Sequence, residues 1–353
     1  MGDVIVVGVT HYPPLSMLDN DMAGILRRTL LDPGIPDAVK DPSSWPEAMR
    51  VEWGDDEAVA SAASHRAALV DGLRRVRAAL DEFDPDVVLV WGDDQHENFH
   101  DDIIPPYSVL CYDDIEARPW AQAAPSAMMA GKPNAWGEPG DLVRTIHGAH
   151  ETGRWLVEKL IGNDFDVAYA YRTLHHPGLA HAFLNTVLYL DYDRTGFEWP
   201  VLPMPLNCYG RKVVGAKGFM TSMADDIRPD PPSPSPRRFH ALGVAVARAF
   251  ASSGQRVALI ASSSWSHAFL VDHTYRLRPD TPADRRLYDA LVANDQSAWI
   301  TTTLTDIERA GQQELLNWFT AMGAVQELGL SLEWSTFVET HCFNSNKVFA
   351  IWR

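Results

Sequence analysis

The sequence predicts an α/β protein: a single large domain, residues 1–353, with a central mostly parallel or mixed sheet flanked by helices on both faces. Three observations predict it. Short apolar or β-branched runs bounded by turn residues recur along the chain. Helical patterns lie between several of them, as a sheet with crossover helices requires. Hydrophobic residues make up 46% and charged residues 22%, the balance of a globular chain.

The strand signals are Val4–Val9, Val87–Trp91, Ser108–Cys111, Val167–Tyr169, Val201–Met204, Val257–Ile260 and Lys347–Ile351. Helical spacing of apolar residues runs over Ala58–Phe83, His147–Ile161 and Phe239–Ser252, and a further helical pattern runs from Gln313 to Met322. Three excursions are expected as loops or lids: 19–53, rich in Pro, Asp and Gly; 112–139; and 225–238, which holds the proline-rich stretch 229–236. No internal repeat is evident.

The formal charge of −17 and the lack of a basic cluster argue against nucleic acid as a partner. No apolar run approaches the roughly 18 residues of a membrane span, and the first residues enter a β-branched run rather than a signal peptide. Cys111, Cys208 and Cys342 are widely spaced and form no disulfide framework, so a cytoplasmic location is expected.

Ligands of an open α/β sheet collect beyond the carboxyl ends of its strands. Polar residues following strand signals therefore carry the functional reading. Thr10-His11 follows the first strand, Gly92-Asp93-Asp94-Gln95-His96 the second, and Ser262 to His267 the run at 257–260. His11, held by Pro13-Pro14, is well placed to coordinate a metal through a neutral imidazole. Asp93, Asp94, Glu97, Asp101 and Asp102 form an acidic loop. Some of these suit the orientation of a ligand; Asp101 and Asp102 read as solvated. Trp91, Trp265 and Trp318 fall beside candidate site residues, as pocket walls or as core.

Five segments, in order, resemble the class III extradiol ring-cleavage dioxygenases, the group of the protocatechuate 4,5-dioxygenase catalytic subunit. They are His11 with Pro13-Pro14-Leu15, Val88 to Pro106, Val201 to Asn207, Ser266-His267, and Glu314 with Trp318. The resemblance implies one non-haem Fe(II) in a facial triad of two His and one carboxylate. Its opposite positions stay open for a catecholate and O2. It implies His11 and Glu314 as ligands and His267 as the acid/base group. A second active-site histidine would be one of His175, His176 or His181, with His181 favoured; the Asp that precedes it in the family is missing.

The second ligand is the main departure. Register places the family's histidine on Gln95, with His96 one residue late. Coordination chemistry favours His96, because an imidazole binds Fe(II) better than an amide oxygen. Both remain candidates, and a third possibility is that neither binds. The implied activity is insertion of both atoms of O2 into a catechol-like or 2-aminophenol-like ring, in aromatic compound catabolism. The implied partners are a small aromatic diol and O2, with a homo-oligomer left open. Two alternatives stand beside it: a non-catalytic binding or scaffold member of the same fold, for which Gln95 speaks, and a hydrolase using another divalent metal.

Overall fold

The computed structural model describes residues 2–124, 126, 129–173, 175–176, 178–218 and 222–353. Six strands form the central sheet: β1 (Asp3–Val9), β2 (Val87–Asp93), β3 (Val201–Leu206), β4 (Arg256–Ser262), β5 (Leu332–Val338) and β6 (Lys347–Trp352). Their spatial order is β3-β2-β4-β1-β6-β5. The first four run parallel, and β6 and β5 add antiparallel at one edge. The fold is thus the expected α/β architecture with a mixed sheet.

Alternation along the strands builds two cores. Val6, Leu89, Trp91, Met204, Leu259 and Trp352 face one side. There they meet α2 (His150–Ile161), α4 (Pro236–Ala251) and α5 (Leu316–Leu328). Ile5, Val7, Val88, Val90, Ile260 and Ile351 face the other. They pack against α1 (Val59–Phe83) and α3 (His181–Leu190). Burial on both faces is what turns these strands into nearly unbroken apolar runs. Trp91, Trp265 and Trp318 are fully buried members of the first core.

One contact fixes how β1 sits on α5. The Trp318 indole fills the space where residue 8 would carry a side chain, and a Cβ there would collide with three ring atoms. Gly8 lies three residues before His11, and Trp318 lies one helical turn beyond Glu314.

The excursions differ from their expectation. Segment 19–53 is largely helical, with helices at Asp19–Thr29, Asp37–Lys40 and Glu47–Trp53. Pro36 and Pro46 precede two of these helices, where a missing N–H costs nothing, and Asp19, Asp21 and Asp37 lie in first turns, where an acid suits the positive end. Met22, Leu26, Trp45 and Met49 are buried in the second core. Within 112–139 a short strand, Ile115–Ala117, pairs with Arg144–Ile146, and a helix spans Pro119–Ala123. Pro125, Ala127 and Met128 of that segment lie outside the described residues. Residues 225–235 form no helix or strand, and Pro236 opens α4 at its first position. Among the described residues no helix is long and apolar enough to cross a membrane.

Candidate active site

The carboxyl ends of β1, β2 and β4 meet at one place, and each delivers a polar group. His11 lies just past β1, Asp93 is the last residue of β2, and Ser262 ends β4. Glu314 comes from a single 3-10 turn, Gln313–Leu315, that leads into α5. That turn follows Gly311, whose φ of +65° favours glycine, where a Cβ would crowd the His267 carbonyl oxygen at 2.7 Å, and whose own carbonyl accepts the His267 N–H at 2.8 Å. The Glu314 turn and the His267 loop are therefore joined through the backbone. His181 is the first residue of α3.

His11 Nδ1 stands 3.1 Å from the carbonyl oxygen of Ser262 and donates to it. Its Nε2 is left as a lone pair, 3.5 Å from Asp93 Oδ1 and 3.6 Å from Glu314 Oε2. Burial lowers the His11 pKa to about 4, so the ring is neutral near pH 7. Glu314 Oε2 accepts from the Ser264 N–H at 3.3 Å, and Oε1 accepts from the Tyr209 hydroxyl and meets His267 Nε2 at 3.2 Å. Burial alone would raise the Glu314 carboxyl; His267, His11 and Tyr209 together hold it below the usual range. Asp93, fully buried, goes the other way, raised by burial and by the nearby charge of Glu314.

Gln95 reaches this cluster. Its Nε2 donates to the Tyr209 hydroxyl at 2.8 Å and to Asp93 Oδ2 at 3.1 Å, and lies 3.5 Å from Glu314 Oε1. These acceptors fix the orientation of the amide, since the reverse would set its oxygen against carboxylate oxygens.

At the mouth, Glu97 accepts both the backbone N–H and Nδ1 of His181, at 3.0 and 2.7 Å. The His181 side chain is 25% exposed, and its ring lies 5.2 Å from that of His11, edge to face. Burial alone would lower the imidazole, but the Glu97 carboxylate raises it to about 10. Glu97 is held at about 2, the reverse case, with burial outweighed by His181.

The structure thus brings together His11, Gln95, Glu314, His267 and His181. His96 stays outside. It sits at φ +64°, its Nε2 is 3.0 Å from Asp101, and its ring stacks on His100 at 4.4 Å. His175 also stacks on His100 and pairs with Asp102 at 2.9 Å. His176 Nδ1 turns back to the carbonyl of Gly178, close enough to Glu97 to act on its charge. Leu174, just before these two histidines, and Pro177, just after them, lie outside the described residues.

Sequence reasoning missed two members. Tyr209 gave no local signal. Asp93 read as part of an acidic loop, although it stands two residues past Trp91 and so on the same side of β2, pointing into cover.

The residues fit a divalent cation. His11, Asp93 and His181 each offer a donor atom within 4.8 Å of the others, and Glu314 adds a second carboxylate. Asp93 Oδ1 is buried and accepts no hydrogen bond. A neutral imidazole lone pair facing two buried carboxylates is unfavourable until a cation lies among them. The Nδ1–carbonyl bond of His11 is the support that a metal-bound imidazole ordinarily has.

The chain is similar to several known proteins. Residues 230–350 match the family model described as the catalytic LigB subunit of aromatic ring-opening dioxygenase. This stretch carries His267 and Glu314, and it bears out the resemblance to extradiol dioxygenases. The chain is 28% identical over 191 residues to a 2,3-dihydroxyphenylpropionate/2,3-dihydroxicinnamic acid 1,2-dioxygenase of Paraburkholderia xenovorans, covering 54% of this chain and 46% of that one. It is 29% identical over 199 residues to the protein of the same name from Paraburkholderia phymatum, covering 56% and 48%. The chain spans about half the length of these curated relatives. A solved structure of an uncharacterized Escherichia coli K12 protein is 11% identical, covering 80% of this chain and 91% of that one, with a TM-score of 0.42.

Proposed function

We propose that this chain is a cytoplasmic Fe(II)-dependent extradiol dioxygenase that opens a catechol-like or 2-aminophenol-like ring and incorporates both atoms of O2. The observation that carries it is the buried meeting of His11 Nε2 and Glu314 Oε2, 3.6 Å apart, from opposite ends of the chain. A LigB-type segment that supplies Glu314 and His267 supports the same reading.

Fe(II), when bound, supplies open positions for a catecholate and O2 and the electron density that O2 takes up. The chain's own groups do the rest. His11 and Glu314 would hold the cation. His267, with Nε2 on the Glu314 carboxylate, and His181, anchored by Glu97 at the wetter mouth, are the groups that hold and move protons of the substrate hydroxyls. His175 and His176 lie on the outer loop, so the acid/base role falls to His267 and His181. The relatives are named for a catechol bearing a propionate chain; a catechol with a carboxylate side chain is accordingly the first substrate class to test. The three cysteines are free and buried, which suits a reducing compartment.

The test is anaerobic loading with Fe(II), then O2 and a panel of catechols and 2-aminophenols, followed by O2 uptake and the absorbance of yellow ring-opened products. His11→Ala and Glu314→Gln are expected to lower the rate on the order of 1000-fold or more. A wild-type protein that binds Fe(II) but consumes no O2 with any substrate would instead favour a binding role. The observation favouring that second reading is Gln95, whose amide is tied into hydrogen bonds where the family has an imidazole.

A further inference from the structure

Resting on the metal-dependent reading above, we infer that Asp93, and not Gln95 or His96, supplies the ligand between His11 and Glu314. Gln95 serves as the clamp that aims it.

Four observations converge on this assignment. Asp93 closes β2 and is hydrogen-bonded into the sheet opposite Leu206, so its backbone is fixed in a way that the following loop is not. One carboxylate oxygen, Oδ2, accepts from Gln95 Nε2 at 3.1 Å. The other, Oδ1, has no hydrogen-bond donor although it is fully buried, and it stands 3.5 Å from the free nitrogen of His11. An oxygen left bare among a lone pair and a second carboxylate is costly unless a proton or a metal cation takes it, and a metal can be shared by all three groups where a proton cannot.

Gln95 is arranged for a different task. Its Nε2 serves Asp93, Tyr209 and Glu314 together. Turning the amide to offer its oxygen would give up the contacts to Asp93 and Tyr209 and oppose like partial charges. Tyr209 in turn donates to Glu314 Oε1. Gln95 and Tyr209 therefore form a neutral bridge that takes one oxygen from each carboxylate and leaves Asp93 Oδ1 and Glu314 Oε2 on the His11 side. His96 is excluded by position, turned outward to Asp101. The resulting donors are one imidazole and two carboxylates, a harder set than two imidazoles and one carboxylate. It suits Mn(II) as well as Fe(II).

The experiment titrates Mn(II), and anaerobically Fe(II), into the wild-type protein and four variants. Bound metal is counted after dialysis, and melting is recorded with and without metal. Asp93→Asn is expected to weaken binding by more than about 100-fold, whereas Gln95→Ala, acting through Asp93, loses about 10-fold. Without metal, Asp93→Asn should melt above wild type, because a buried carboxylate beside Glu314 has gone, and added metal should no longer raise its melting point. Equal binding by Asp93→Asn and wild type overturns the assignment. So does complete loss of metal in a folded Gln95→Ala, which stays decisive even if Asp93→Asn fails to fold. His11→Ala and Glu314→Gln separate the two layers. If both bind like wild type, the metal-dependent reading itself falls. If both lose metal while Asp93→Asn keeps it, only the role of Asp93 falls.

Discussion

His11, Asp93, Glu314 and His267 meet under cover at the carboxyl end of the sheet, whereas His96, His100 and His175 stack face to face on the outer loops. Both regions are rich in His and Asp. In the outer stack two of the three rings have an aspartate of their own, His96 with Asp101 and His175 with Asp102, and those aspartates are 66% and 46% exposed. In the covered cluster the partners are shared, and one carboxylate oxygen has no donor at all. Residue type does not separate the two regions. Shelter and an unmet valence do, because only there does a charged ligand gain what solvent would otherwise supply.

The largest effect that would sharpen this contrast lies behind the covered cluster. Asp284, at the start of helix Thr281–Val292, accepts from the Ser266 N–H at 3.0 Å, Gln312 Nε2 at 2.7 Å and Asn346 Nδ2 at 2.8 Å. It ties the His267 loop to the segment that delivers Glu314. Asp284→Ala strands three buried donors and should cost about 3 kcal/mol of stability, read from urea midpoints.

The same residue sets a pH dependence. Burial raises its carboxyl to about 7, so the folded chain keeps a proton that the unfolded chain has released above its ordinary value of 3.8. Its contribution to stability therefore declines as pH climbs between those values and is flat beyond about 7. Asp284→Asn should remove this slope; an unchanged slope between pH 4 and 7 would assign it to other groups.

A smaller effect concerns the mouth. His181, raised to about 10 by Glu97, gives stability that is complete below its ordinary value of 6.5 and lost as pH rises through 10. Glu97→Gln should bring the His181 titration down toward its ordinary value, followed in the metal-free protein by histidine NMR. The smallest effect belongs to the outer stack: His96→Ala and His175→Ala should leave metal uptake, melting point and ring opening at wild-type values. A lost activity there would erase the distinction between the regions.

Much of the fold was legible because buried strands write themselves as apolar runs. β1, β2, β3, β4 and β6 all lie on such runs. β5 escaped, since Leu332–Val338 is only partly buried along its length and alternates too weakly to stand out. The helices of 19–53 escaped because prolines and acids at helix starts resemble loop composition. In the site, His11 and the 262–267 stretch were visible as polar residues after strands, and the family motifs pointed to His267 and Glu314. Asp93 was hidden by its neighbours: a carboxylate among five in an acidic loop does not stand out as a ligand until the strand is seen to carry it inside. Asp284 has no local signature, since its donors come from three distant segments.

Gly8 and Trp318 give the cluster its gauge. An indole seated in the notch of a missing side chain sets how near the first strand can approach the last long helix. The width between His11 and Glu314 is thus a matter of carpentry in the oily layer. Re-cutting that notch, rather than exchanging donors, is the route to a cavity sized for a larger or smaller ion.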